Sequence, residues 1–307
     1  MRAVPNLSTA YLFPTFPMRD VDAGADRIPG YGEILDGWTA RAAKLIPIPD
    51  DLFAVPDPSA IPDLQATLNA HHACYLEELA MAEWLSQTRG PADVVSGYSM
   101  GLFAALCWAE SMAFEDGLAV MSEVCRNVHR VGDGKRYSMG VVSGLDELAV
   151  KSALVGSVEV TDIYSPTTLI LAGLTEEVAA STAACSSAGA EDTMLLPVSA
   201  PFHSTALGGV RSGNETAVAE VRLQRPVIPV ISAVTAGRLD DVRAVRAELV
   251  GNVATPMRWF DTMVTLMDAG VDTFYECGLS QRLVNVARRM IPEGFRAENF
   301  LDFEEQE

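Results

Sequence analysis

The sequence predicts an α/β fold in two parts: a larger unit built on a mainly parallel sheet, and a smaller unit inserted into it. Two observations carry this. Short apolar runs alternate with helical patterns along most of the 307 residues, which is the signature of parallel strands joined by helices. Between residues 137 and 197 the order changes to strand, helix, strand, strand, helix, strand, the ferredoxin-like arrangement. A hydrophobic content of 49% supplies enough apolar surface for a sizeable core.

The N-terminal "MRAVPNLSTAYLFPTFP" has a short apolar run broken by prolines. It fits a first buried strand better than a signal peptide. Residues 27 to 62, rich in proline and aspartate, read as short helices and irregular connections. In "LQATLNAHHACYLEELAMAEWLSQ", Leu64, Leu68, Tyr75, Leu79, Ala82 and Leu85 recur at helical steps, with His72 filling the one gap. "VVSG" is a short buried strand, and "MGLFAALCWAESMAF" a mostly apolar helix. A further helix is predicted from near Phe114 to about His129.

After the loop "VGDGKR" comes the inserted unit. Its strands are "YSMGVVSGL", two in "SVEVTDIYSPTTLILAG" joined at Ser165-Pro166, and "EDTMLLPVS". Its helices are "DELAVKSALV" and "TEEVAASTAACSSAGA". "RPVIPVISAV" and "VDTFYECG" then return to buried strands. The larger unit therefore takes residues 1–136 and 198–307, and the smaller takes 137–197.

The formal charge of −19 argues against nucleic acid and anionic membrane as partners. No run of eighteen uncharged apolar residues is present, so no membrane span is expected. The five cysteines are scattered without a CxxC pair and read as reduced thiols in a cytoplasmic protein. The four histidines are too few and too dispersed to suggest a metal site.

The stretch "DVVSGYSMGLFAALCWA" places Ser99 in a G-x-S-x-G turn between a strand and a helix. That context is a nucleophile elbow. The turn is tight, so its neighbours must be small, and the helix start offers N–H groups to an oxyanion. The alternative is a packing turn in which serine is merely small. A serine nucleophile needs a base. The candidates are His71, His72, His129 and His203. His72 falls on an apolar stripe, where a satisfied core histidine is expected. His129 sits at the basic end of a helix. His203, in "LLPVSAPFHSTAL", follows a strand and precedes a predicted helix, the kind of loop on which catalytic side chains are mounted.

The motifs "SGYSMGLFAALCWAESMAFEDGLAVM", "LLPVSAPFHS", "TPMRW" and "TFYECGLSQRLVNVARRM" occur in that order. Together they resemble the malonyl-CoA:acyl carrier protein transacylases and the acyltransferase domains of polyketide synthases, over nearly the whole chain. The resemblance implies an α/β-hydrolase-like core with a ferredoxin-like subdomain, no bound cofactor, and substrates carried on phosphopantetheine. It implies Ser99 as nucleophile and His203 as base. It also implies an oxyanion hole from the N–H groups of Met100 and Phe16, and a backbone carbonyl at Arg258 that orients the His203 ring. Cys125, Phe202 and Tyr164 are then expected in the acyl pocket.

One departure bears on the substrate. Malonyl-specific members of the family carry an arginine that grips the substrate's free carboxylate. Counting 25 residues from Ser99 reaches Val124, with Cys125 next. Arg126 is adjacent, but one residue around a helix is a turn of about 100°. A lone malonyl carboxylate would be costly to bury there. A neutral and larger acyl group is therefore expected. The resemblance implies relatives of this kind that serve macrolactam pathways and move aminoacyl-type groups.

Arg126, Arg130, Lys135 and Arg136 cluster in an otherwise acidic chain, and Arg282, Arg288 and Arg289 lie on a late helix. They are candidates for docking an acidic acyl carrier protein. The expected function is acyl transfer in polyketide or antibiotic biosynthesis, through an acyl-Ser99 intermediate. Three alternatives stand beside it. One is a malonyl transacylase in which Arg126 or Arg258 substitutes for the arginine. Another is a hydrolase that clears acyl groups from carriers, and the last is a non-catalytic binding protein.

Overall fold

The computed structural model describes residues 8–15, 27–54, 62–131, 135–196 and 198–304. In chain order the first half contains β1 (Thr9–Phe13), α1 (Tyr31–Ala42), α2 (Leu64–Thr88), β2 (Val94–Gly97), α3 (Gly101–Trp108) and α4 (Phe114–Arg130). The inserted unit contains β3 (Tyr137–Ser143), α5 (Glu147–Ala153), β4 (Glu159–Ser165), β5 (Thr168–Leu174), α6 (Thr175–Ser187) and β6 (Asp192–Leu196). The remainder contains α7 (Arg211–Ala219), β7 (Val230–Ser232), α8 (Val242–Gly251), α9 (Trp259–Asp268), β8 (Thr273–Glu276), α10 (Arg282–Met290), β9 (Arg296–Glu298) and α11 (Phe300–Glu304).

Two sheets result. The first is a five-stranded sheet in the order β7-β2-β1-β8-β9, and all four of its strand pairs are parallel. Parallel strands joined by helices are covered on both faces and read as continuous apolar runs. Ala10, Tyr11, Leu12 and Phe13 of the central β1 are accordingly all fully buried. On one face they meet α2, α3 and α4; on the other Ala10 and Leu12 pack with Trp259, Met263 and Leu283 of α9 and α10.

The second sheet is antiparallel, in the order β4-β5-β3-β6. Its β3-α5-β4-β5-α6-β6 chain path matches the predicted arrangement, and the β4–β5 connection turns where Ser165-Pro166 was expected. Val142, Val150, Leu169, Leu171 and Val178 form its own small core against α5 and α6. The other face of this sheet, with Met139 and Ile170, packs into the cluster of α9 and α10.

Local sequence explains the elements that flank the site. The N-cap Asp63 accepts a hydrogen bond from the Ala66 N–H and opens α2. The predicted stripe of α2 is inward: Leu68, His72, Tyr75, Leu79, Ala82 and Leu85 are buried. His72 Nε2 lies 2.8 Å from Ser122 Oγ of α4, so it is the satisfied core histidine that its place on the stripe suggested. Of "RPVIPVISAV" only Val230–Ser232 is strand, because prolines supply no N–H to a ladder. The segment after His203 begins as a 3-10 helix over Thr205–Val210 before α7.

Candidate active site

Ser99 sits between the end of β2 and the start of α3, with a positive φ of 54°. A non-glycine residue in that region is strained and is held only by its surroundings. The two glycines of the motif provide the surroundings. A Cβ on Gly97 would lie 2.5 Å from the Gly101 carbonyl carbon, and one on Gly101 would lie 2.7 Å from the Phe13 carbonyl carbon. Strand, turn and helix therefore pack backbone against backbone, with the Tyr98 N–H bonded to Phe13 O at 2.8 Å. Small residues are needed on both sides, and the serine is lifted at the apex.

His203 Nε2 is 2.7 Å from Ser99 Oγ, and both residues are buried. His203 also has a positive φ, 60°, and its N–H donates to Val253 O at 2.8 Å. On the other side of the ring, Nδ1 lies 2.9 Å from the carbonyl oxygen of Asn252. With Nδ1–H donating to that carbonyl, Nε2 is the free base facing the serine. The carbonyl that orients the ring therefore belongs to Asn252, not to Arg258 as expected. Arg258 O instead accepts from the N–H and hydroxyl of Thr262 in α9, and its guanidinium pairs with Asp261. Asn252 acts twice, because its side-chain Nδ2 also donates to Ser99 O at 2.6 Å.

Burial lowers the His203 pKa to about 4, and hydrogen bonds to the Asn252 and Thr255 backbone pull the other way. The imidazole is therefore neutral near pH 7, as a general base requires. Met100 occupies the N-cap position of α3 directly after the nucleophile, which sets its N–H at the positive end of the helix. Phe16, the other expected oxyanion donor, lies outside the described residues; its neighbour Thr15 is buried and lines the site.

Ser99 and His203 open onto a cavity of about 560 Å³. Its walls come from both units: Thr67 and His71 of α2, Val124, Cys125 and Val128 of α4, Met139, Val141 and Ile170 of the antiparallel sheet, and Val286 of α10. Cys125, Phe202 and Tyr164, the three residues expected in the pocket, all line it. Both residues at the position of the expected arginine, Val124 and Cys125, face the cavity, and burial pushes the Cys125 thiol up to about 12. Arg126 is not among the lining residues; it pairs with Glu123 at 2.6 Å. Among the described residues that line the cavity, the arginines are Arg282 and Arg289.

The two basic clusters divide by what they touch. Arg282, Asn285 and Arg289 recur along one exposed face of α10 at the cavity rim. Arg288 points elsewhere: it donates to Ala297 O at 2.9 Å and pairs with Asp302 at 2.6 Å. Arg130 donates to Asn127 Oδ1, while Lys135 and Arg136 are exposed ahead of β3. Among the described residues, no helix is long and apolar enough to cross a membrane.

Asn252 was missed in the sequence because any residue can supply a backbone carbonyl, so the role leaves no mark on residue type. Tyr98 and Asp162 were missed as a pair for another reason: 64 residues separate them, and only the fold brings the Tyr98 hydroxyl to the Asp162 carboxylate.

No protein-family model matches the chain. The chain is 32% identical over 208 residues to the polyketide biosynthesis protein ThaF of Burkholderia thailandensis, covering 66% of this chain and 18% of that protein's length. It is 24% identical over 288 residues to the malonyl CoA-acyl carrier protein transacylase of Salmonella typhimurium, covering 92% of each. Among solved structures it superimposes with a TM-score of 0.83 on a type II polyketide synthase malonyl-transacylase held in complex with its acyl carrier protein, at 22% identity and over 95% of each chain.

Proposed function

We propose that this chain, a distant homologue of the malonyl-CoA:acyl carrier protein transacylases and polyketide synthase acyltransferases, is a serine acyltransferase that loads a carrier-protein thiol with a neutral acyl group. The observation that carries the reading is the Ser99–His203–Asn252 carbonyl relay opening onto the cavity.

In the first half-reaction His203 Nε2 takes the Ser99 proton as Oγ attacks the thioester carbonyl. The oxyanion forms beside the Met100 N–H. Its collapse breaks the C–S bond, and the departing thiolate takes the proton back from His203. An acyl-Ser99 ester remains. In the second half-reaction His203 deprotonates an incoming thiol, which attacks the ester, and Ser99 leaves with the proton.

Val124 and Cys125 in the pocket wall support a neutral acyl group. A malonyl carboxylate there would be buried against a methyl-bearing side chain and a protonated thiol, while Arg126 is engaged by Glu123 outside the lining and Arg282 and Arg289 stand at the rim. Aminoacyl-type groups suit such a wall when their amine is masked. Arg282 and Arg289 at the rim fit the phosphate of a phosphopantetheine arm and an acidic carrier. The structural neighbour held in complex with its acyl carrier protein supports the same kind of partner.

The test is intact-protein mass spectrometry after mixing with malonyl-CoA, with a panel of neutral acyl-CoAs, and with acyl carrier proteins, using Ser99→Ala as control. A neutral acyl adduct on wild type, absent from Ser99→Ala and not formed by malonyl-CoA, is the expected result. A malonyl adduct of equal yield would overturn the substrate assignment.

A further inference from the structure

The residue before the nucleophile is a tyrosine, and the chemistry above gives it no task. Tyr98 is buried, and its hydroxyl donates to Asp162 Oδ2 at 2.8 Å. The other oxygen of that carboxylate, Oδ1, accepts the Trp259 N–H at 3.1 Å. Asp162 belongs to β4 of the antiparallel sheet, whereas Trp259 begins α9 a few residues beyond Asn252. The adjoining backbone is tied as well, since the Met257 N–H donates to Thr161 O at 2.8 Å. The Tyr98 ring stands edge-on to Tyr164 at 5.4 Å and to Trp259 at 5.3 Å. One buried carboxylate thus joins the nucleophile's turn, the inserted sheet, and the segment that leaves the histidine-orienting carbonyl.

We propose that Tyr98 and Asp162 are positioning residues, whose hydrogen bond holds the Ser99 turn against the Asn252–Trp259 segment and so sets the Ser99–His203 distance. The proposal rests on the acyl-serine reading above. Ser99 and His203 both hold left-handed backbone conformations, which persist only where the surroundings over-determine them. Asn252 Nδ2 grips the turn at Ser99 O from one side, and Asp162 grips it at Tyr98 from the other. Burying a carboxylate is costly, and a purely space-filling contact would not require one. An error of about 1 Å in the placement of reacting atoms can cost on the order of a hundredfold in rate.

The experiment measures the rate at which a fluorophosphonate labels Ser99, by mass spectrometry, together with KM for an acyl thioester and the melting temperature. Tyr98→Phe keeps the ring and removes only the hydroxyl. It is expected to slow labelling about tenfold or more, with KM little changed. Asp162→Ala removes that bond and the one from the Trp259 N–H, so it is expected to slow labelling at least as much, and adding Tyr98→Phe to it should slow labelling no further, since the hydroxyl has already lost its partner. Asp162→Asn retains an acceptor for the Trp259 N–H and a partner for the tyrosine oxygen, and restores most of the rate. Wild-type labelling speed in folded Tyr98→Phe, with only the melting temperature lowered, overturns the proposal and leaves Tyr98 a packing residue. A wild-type protein that does not label at Ser99 at all overturns instead the acyl-serine reading on which it rests.

Discussion

Replacing Gly101 with alanine isolates the close packing that raises the nucleophile. The added Cβ would lie 2.7 Å from the Phe13 carbonyl carbon, and closer still to the carbonyl oxygens of Phe13 and Pro14. Ordinary contact begins at 3.4 Å, so relieving the clash with the two oxygens requires α3 to retreat by more than about 1 Å. Neither side yields easily. The obstacles are backbone atoms at the end of β1 and of Pro14 just after it, and β1 is paired with β2 on one edge and β8 on the other. Overpacking costs about 1–3 kcal/mol where side chains can adjust; with backbone on both sides the upper end, about 3 kcal/mol, is expected. For a chain of 307 residues that lowers Tm by about 5 °C. Labelling of Ser99 should fall as well, since the retreat moves the serine. Gly208→Ala is the control, because a Cβ there meets nothing within 4 Å, and it should stay within about 0.5 kcal/mol of wild type. Thermal unfolding followed by circular dichroism reads both. A Gly101→Ala protein that melts with wild type and labels at the wild-type rate would refute the account of why this motif needs its second glycine.

Four further outcomes are expected. His203 is held down to about 4 by burial, so the neutral base persists below the ordinary histidine range. Labelling of Ser99 in folded protein should therefore stay level from about pH 8 to about pH 5 and halve near pH 4, and a midpoint near 6.5 would contradict the burial argument. Asn252→Ala leaves the orienting carbonyl but removes the Nδ2 bond to Ser99 O; a stability loss of about 1–3 kcal/mol with slower labelling is expected from denaturant titration and the same probe. Cys125→Arg places a guanidinium on the cavity wall and should raise malonyl loading from malonyl-CoA by about tenfold or more by intact mass; no gain would mean that the wall does not face the acyl group. Arg282→Ala with Arg289→Ala should slow transfer to a carrier protein and flatten its salt dependence, while loading from a short thioester that lacks the phosphate is unchanged.

What the sequence disclosed and what it concealed follow from the range of the interactions involved. The elbow was legible because strand, turn and helix are contiguous, and the glycines mark the turn itself. The long stripe of α2 and the order of the inserted unit were legible for the same reason: period and punctuation are local. The relay was half legible. His203 has a side chain that only a few positions could offer, whereas the group that orients it is a peptide carbonyl, 49 residues away and indifferent to side-chain type. Arg258 was expected in that role from a short motif, yet the turn from α8 through the 3-10 helix at Asn252–Ala254 presents the earlier carbonyl to the ring. The charges of α10 looked like one cluster in sequence, and the helix separates them. Arg282 and Arg289 face the cavity rim, while Arg288, on another side, holds β9 and α11.

The cavity borrows its walls unequally from the two sheets. The proton relay is anchored on the parallel sheet and the segments leaving it, through β2, α3 and the turn after α8. Much of the cavity wall is instead the inward face of the inserted sheet, with Met139, Val141, Ile170 and Met194. That sheet has its own core against α5 and α6. The two faces of that sheet therefore answer to different neighbours. Its outer face folds the unit, while its inward face is packed with Tyr98 and Trp259 and lines the cavity, so a change of side chain there reshapes the pocket and presses on the nucleophile's turn together.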